Sequence, residues 1–391
     1  MDRGSGEDMV AGSALLLGDL DVAYPLRSAG IPVTVVRSRR DWTRFSRAGI
    51  GWVERPDDPA DLAATLVRAA RSMPGPVVLF VQDDEPLQYV SDHRDELAPS
   101  LRFLLPDADV LDALLDKWAF QQLAERHGLP VPETRVVSTD TRDVASLAGP
   151  TLVKPLRLRR SGTDVMNGSK AFVVADGEEC LTLLRRLAPV HDRVLLQRLV
   201  PGPETRVESY HAYVDATGQV LAEFTGRKLR TVPAEFGYST ALITTLADDV
   251  RRLGRRVVGA LNVRGFVKID VKRGPDGRLW VLEVNPRTNL WHRLGAVAGC
   301  NLPVLAFHDL VGAPLVVAPP PTARPGVTWS RQPRDLFAAH DSGMSLRHYL
   351  PWLARCDAVT GLRLTDPWPF VRGGLLPHAT RSLRSTLGRP S

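Results

Sequence analysis

With 391 residues and 44% hydrophobic content, the chain can bury the cores of two or three domains, which excludes disorder as its organising state. Its net charge of +6 raises nucleic acid or a membrane surface as partners. Much of that excess, however, sits in 371–391, where Arg372, Arg381, Arg384 and Arg389 stand without acids, with no arginine stripe and no aromatic interleaving beyond Trp368 and Phe370. A solvated tail is the simpler account, and nucleic acid is not favoured. Cys180, Cys300 and Cys356 are far apart and odd in number, which fits a reducing cytoplasm rather than a disulfide framework or a thiolate metal site. The acids of the Met-Asp-Arg-Gly-Ser-Gly-Glu-Asp start do not suit a signal peptide, and no apolar run reaches the ~18 residues of a membrane span.

In chain order, residues 13–17 read as an apolar strand ending at Gly18-Asp19. A helix over 21–29 follows, stopped by Gly30, and then a strand over 33–36. A helical pattern at 59–72 leads through Pro74-Gly75-Pro76 to a buried strand at 77–81. Alternation of this kind predicts a small parallel sheet with helices on its faces. The acids in Gln82-Asp83-Asp84-Glu85 fall just past a strand end, where α/β folds place ligand groups; a substrate role such as recognition of an amino group, a nucleotide role and a plain acidic loop are all open. From 111 to 127 the apolar spacing predicts one helix carrying Lys117, stopped by Gly128 and Pro130.

Beyond that stop, short strands dominate. They are expected at 151–155 (with Lys154), 171–174, 193–197, 205–214, 219–225, 265–271 and 279–284, with helices over 177–188 and 246–261. The proline-rich stretch 314–326 reads as a linker, and 327–391 as a separate C-terminal segment whose Trp329, Trp352 and Trp368 need something to pack on. That segment is open to three roles: a cap, a homodimer contact or a partner surface.

The most informative stretch joins Asp270 to Glu283 and Asn285. Side chains alternate along a strand, so Glu283 and Asn285 share a face. The Gly274-Pro275-Asp276-Gly277 turn folds the preceding strand back, bringing Asp270 beside them. Two carboxylates and an amide oxygen are donors that suit magnesium, although a hairpin with a polar solvent face would show the same pattern. Lys154 is a point charge suited to a phosphate, and the turns at Ser161-Gly162-Thr163 and Asn167-Gly168-Ser169 offer backbone donors. The apolar strand carrying Gln197 and Leu199 ends at a Pro/Gly break with Glu204 just beyond, where a nucleotide's base and ribose could be read or where a plain edge strand simply turns. Lone histidines such as His211 and His292 read as structural, and Tyr238 is a candidate pocket wall.

On these residues, 108–313 resembles an ATP-grasp domain of the carboxylate–amine ligase kind, related to D-alanine ligases and the ATP-grasp domains of carbamoyl phosphate synthetases. The spacing from Asp270 to the Glu283-x-Asn285 pair, 13 residues on, carries the likeness. The fold the resemblance implies is a parallel α/β domain over 1–107, followed by a two-lobed ATP-grasp domain with antiparallel sheets whose nucleotide-binding lobe spans about 130–200. It implies ATP contacts from Lys117, Lys154, Ser161, Gly162, Gln197, Leu199 and Glu204. Asp270, Glu283 and Asn285 would ligate magnesium, with manganese as an alternative, and Arg287, Lys228 and Arg230 would face the transferring group. The implied reaction joins a small-molecule carboxylate to an amine, an amino acid or small peptide being the expected class. A bicarbonate-using carboxylase and a non-catalytic ATP sensor are the alternatives. Gln197 departs from the glutamate often found at the adenine hinge.

Overall fold

The computed structural model describes residues 12–39, 41–141, 144, 149–156, 171–314, 321–361, 366–368 and 371–372. Four parallel strands open the chain: β1 (Ser13–Leu17), β2 (Val33–Arg37), β3 (Gly51–Glu54) and β4 (Val77–Val81), in the order β3-β2-β1-β4. Every residue of β1 and β4 is buried: β1 lies inside the sheet, and β4 is an edge strand covered at Arg102, whose carbonyl accepts from Leu79 N at 2.8 Å. Asp19 caps the helix Leu20–Ser28 by accepting from Asp21 N, so β1 ends where a helix N-terminus begins. At the same edge, β4 passes through Gln82 and Asp83 into a helix over Asp84–Asp92, which the apolar spacing alone did not indicate.

The expected helix over 111–127 is two helices, Ala108–Leu115 and Lys117–Arg126. Asp116 stands between them in extended conformation and accepts from the Trp118 and Ala119 amides at 2.9 Å. Apolar periodicity runs through such a break unchanged because a capping residue alters backbone direction and leaves hydrophobicity as it was. Lys117 thereby becomes the first residue of a helix.

A four-stranded antiparallel lobe follows: β5 (Thr134–Ser138), β6 (Thr151–Pro155), β7 (Phe172–Val174) and β8 (Arg193–Arg198), ordered β5-β8-β6-β7. The helix Gly177–Leu187 closes its core on Val153, Val174, Val194 and Leu196. The remaining strands are β9 (Val207–Val214), β10 (Val220–Val232), β11 (Tyr238–Thr245), β12 (Gly265–Arg273), β13 (Leu279–Asn285), β14 (Thr328–Arg331) and β15 (Ala358–Thr360). They form one sheet in the order β13-β12-β9-β10-β11-β14-β15.

The expected boundary at 314–326 therefore does not leave the C-terminal segment outside the sheet, since β14 pairs with β11 and β15 with β14. Trp329 of β14 is fully buried with Phe224, Leu242 and Trp291. Burying such a side chain contributes roughly 1.5–3 kcal/mol or more, which is why a strand this short holds its place.

The seven-stranded sheet has two unlike faces. One packs its valines and Tyr210 on the helix Asp248–Ala260. The other meets the helix Trp291–Val297 and the first helix of the N-terminal sheet, through Tyr213, Phe224, Leu242 and Trp291. Gly226 on β10 permits this approach: a Cβ there would stand 2.7 Å from the Trp291 ring.

Candidate active site

The hairpin of β12 and β13 pairs Asp270 with Glu283 and Lys268 with Asn285, so these four side chains rise from one face of the sheet. This is the convergence the turn at 274–277 led us to expect. β9 lies on the other side of β12 and sets Ser209 opposite Asp270. Asp270 is buried, accepting from Ser209 Oγ and from Lys268 Nζ, and the Lys268 ammonium also lies 3.7 Å from Glu283 Oε1. Burial works to raise the Asp270 pKa, yet Lys268 and Lys228 outweigh it and hold the carboxyl below the ordinary range. Asn285 donates to Glu283 across 3.1 Å.

Two further groups of cations border this pair of carboxylates. Glu204, in the short turn that ends the lobe, stands 3.6 Å from Lys228 of β10 and 3.9 Å from Lys272 of β12. From the lobe, Lys154 of β6 donates to Gln197 Oε1 at 2.7 Å, and Lys117 donates to the Pro155 carbonyl at 2.9 Å. Burial, followed by the charge of Lys117, pushes Lys154 down to about 8, against the opposing pull of Glu283 and Glu204. Burial also lowers Lys117, with Glu283 acting to raise it. These mutual influences mark Lys117, Lys154, Lys272, Glu204 and Glu283 as one electrostatic neighbourhood, in which lysines outnumber acids.

Several expected roles change on inspection. The Gln197 amide is turned to Lys154 on one side and donates to Thr134 Oγ1 at 2.9 Å on the other, so its side chain serves the lysine rather than an open base pocket. Leu199 instead lines a cavity of about 280 Å³ with Pro132, Pro275 and Trp280, apolar walls of the kind a flat base would need. Ser161 and Gly162 lie outside the described residues.

Arg230 does not face the same pocket as Lys228. A bulge between them pairs Lys228 with Leu242 and Arg230 with Ala241, consecutive residues that point to opposite faces. Arg230 is committed instead to Asp335, through two bonds of 2.8 and 2.7 Å, with its guanidinium 3.9 Å from the centre of the Trp352 ring.

Arg287 follows β13 and turns back to the N-terminal sheet, donating from Nε to Asp84 and from Nη1 to the Gln82 carbonyl at 2.9 Å. Burial tends to lower its pKa, but Asp84 raises it, so the guanidinium stays charged. His211 and His292 are fully buried and none of their ring nitrogens has a hydrogen-bond partner. Burial drives His292 down to about 3 and His211 well below its ordinary value, so both are neutral core rings, His211 stacking on Phe224 at 4.5 Å. Tyr238 is 56% exposed.

Lys268 and Lys272 were missed in the sequence, although the two-residue period that singled out Asn285 beside Glu283 applies equally to lysines on either side of Asp270. Also unforeseen was Arg331 of β14, which reaches Asp19 at 2.9 Å and Asp21 at 3.5 Å, at the carboxyl end of β1. A separate cavity of about 490 Å³, walled by Arg27, Arg293 and Asn301, includes none of the residues of the lysine and acid neighbourhood.

Among solved structures, an L-amino acid ligase from Bacillus licheniformis aligns with a TM-score of 0.60 at 16% identity, over 81% of this chain and 78% of that one. An ADP complex of purK, an N5-carboxyaminoimidazole ribonucleotide synthetase, aligns with a TM-score of 0.60 at 13% identity, over 78% and 77%. In sequence, the D-aspartate ligase of Enterococcus faecium is 24% identical over 248 residues, 60% of this chain and 58% of that protein. The chain has an ATP-grasp fold. A D-alanine–D-alanine ligase of Halorhodospira halophila is 28% identical over 213 residues, covering 50% of this chain and 64% of the relative. The alignments thus span about three fifths of the length of these curated ligases. No family model matches the chain. Among the described residues no single helix is long and apolar enough to cross a membrane.

Proposed function

We propose that the protein is an ATP-dependent carboxylate–amine ligase that works through an acyl phosphate and takes an amino acid or small peptide as one substrate. The observation that carries this reading is one charged neighbourhood: Lys117, Lys154, Lys228 and Lys268 each act electrostatically on Asp270 or Glu283, Lys272 joins through Glu204, and Arg287 reaches Asn285. A polyphosphate is the kind of ligand that a surplus of half-buried ammonium groups is suited to neutralise. The relatives named for D-aspartate and D-alanine support an amino-acid substrate, whereas the structural neighbours, below 25% identity, speak for the fold alone and do not favour bicarbonate.

The donor set fits magnesium. Lys268, a cation already lodged between Asp270 and Glu283, marks the point where positive charge is held. Among the described residues no group of three or more His, Cys, Asp or Glu side chains converges, so the protein offers two carboxylates and an amide oxygen, the partial set that magnesium takes when phosphates complete it. Asp270, Glu283 and Asn285 would hold the ion, which would help neutralise charge on the transferring group.

The residues of the chain then divide the work. Lys154, kept in place by Gln197, and Lys117, anchored at Pro155, would neutralise the phosphates of ATP. A carboxylate oxygen of the substrate bonds to the γ-phosphorus as the bond to ADP breaks, giving an acyl phosphate. An amine nitrogen then bonds to the carbonyl carbon, phosphate leaves and the nitrogen loses a proton, so an amide forms. Arg287, with its Nη2 only 3.4 Å from Asn285 Oδ1, would stabilise the acyl phosphate oxygens. The cytoplasmic setting suggested by three free cysteines belongs to the same proposal.

The test is ADP release from Mg-ATP across pools of amino acids and small carboxylic acids. Release that requires both an acid and an amine, with an amide product by mass spectrometry, is expected. Product formation without ATP would overturn the reading.

A further inference from the structure

Gln82-Asp83-Asp84-Glu85 stands at the carboxyl end of β4, and each acid meets a different arginine. Asp83 pairs with Arg37 at 2.9 Å, Glu85 with Arg55 at 3.8 Å, and Asp84 with Arg287. Acids matched in this way are poorly placed to capture a substrate ammonium. The third pair differs from the other two, because its arginine belongs to the loop leaving β13, two residues past Asn285.

That loop is joined to β4 along its length. Thr288 donates to the Val81 carbonyl from its amide at 3.0 Å and from its hydroxyl at 2.7 Å, and Arg287 Nη1 reaches Gln82 O at 2.9 Å. Asp84 takes Nε, and as the first residue of the helix Asp84–Asp92 its carboxylate is favoured by the positive end of that helix. The planar guanidinium is therefore fixed from two directions. Among the described residues its Nη2 makes only the 3.4 Å contact with Asn285 Oδ1, which leaves it the nitrogen best able to donate to an incoming oxyanion.

We infer that Asp84 is a positioning residue that orients Arg287 toward the reacting phosphoryl group, so that the N-terminal sheet sets the catalytic geometry of the seven-stranded sheet. The inference rests on the ligase reading for its catalytic consequence and on the hydrogen-bond geometry for its structural one.

The experiment therefore has two arms. In the first, the Nε–H resonance of Arg287, assigned by its loss in Arg287→Lys, is followed by nitrogen–proton NMR of the full chain. A slowly exchanging signal that becomes fast-exchanging in Asp84→Asn is expected; no change between wild type and Asp84→Asn overturns the orientation.

In the second arm, ADP release is measured in Asp84→Asn and Asp84→Glu. The account expects kcat to fall roughly 10- to 100-fold in Asp84→Asn, since a misplaced group costs that much, with KM for Mg-ATP unchanged and partial recovery in Asp84→Glu. An unchanged kcat, or a loss shared equally by KM and thermal stability, overturns the positioning role. If the wild type releases no ADP with any acid and amine, the ligase reading and this role in it fall together, while the NMR arm still decides the Asp84–Arg287 orientation.

Discussion

The two faces of the seven-stranded sheet treat charge differently. On the face that packs on the helix Asp248–Ala260, charges are closely matched: Arg255 meets Glu223 at 2.7 and 2.9 Å with Tyr210 adding a bond of 2.7 Å, and Arg230 meets Asp335 with Thr240 and Ser330 completing the carboxylate. On the face toward the N-terminal sheet, Lys268 closes on Asp270 but reaches Glu283 only at 3.7 Å, and Glu204 is shared by Lys228 and Lys272 at 3.6 and 3.9 Å. Close, satisfied pairs hold elements together. Loose and unequal ones leave charge available to a ligand. Lys228 and Arg230, two residues apart, are assigned to opposite roles by a single bulge.

The comparison can be broken at its strongest point first. Glu283→Gln keeps the size of a side chain that is 56% exposed and removes one anionic donor, so thermal stability should hold while ADP release falls by about 10²–10³-fold. A large loss of stability in that variant would assign the loose face a structural role. Asp335→Ala probes the opposite face. It strands Arg230, whose side chain is 11% exposed, and should cost roughly 3–5 kcal/mol in chemical denaturation. A fully stable Asp335→Ala protein would remove the distinction between the faces.

The smallest expected effect concerns pH. Lys154 titrates near 8 in the free protein, and a bound polyphosphate would favour its charged form. Nucleotide binding then takes up a proton at alkaline pH, and affinity for Mg-ATP should weaken about tenfold between pH 7 and pH 9, a dependence lost in Lys154→Met. The sign for folding is the reverse. With its pKa lowered from 10.5 to about 8, the unfolded chain holds the proton longer, so this lysine makes stability rise with pH across that window.

Much of this was legible in the sequence where one local rule sufficed. Strand alternation and a four-residue turn were enough to bring Asp270, Glu283 and Asn285 together, and alternating strands and helices were enough for the parallel sheet. What escaped depended on relations between distant segments. No local pattern announces that Asp335 will face Arg230 from 105 residues away, or that Trp329 seats β14 beside β11. The bulge after Lys228 is equally silent, because the extra residue, Leu229, is an ordinary strand former. Gln197 could be placed on its strand, but the lysine that claims its amide comes from a neighbour paired across the sheet.

The central claim is an acyl phosphate made from a substrate carboxylate, and oxygen transfer tests it most directly. Once an acid and amine pair that stimulates ADP release is found, the acid is supplied with both carboxylate oxygens as oxygen-18. The account predicts one labelled oxygen in each phosphate released, because the attacking carboxylate oxygen leaves bonded to phosphorus. Unlabelled phosphate accompanying amide formation would contradict it.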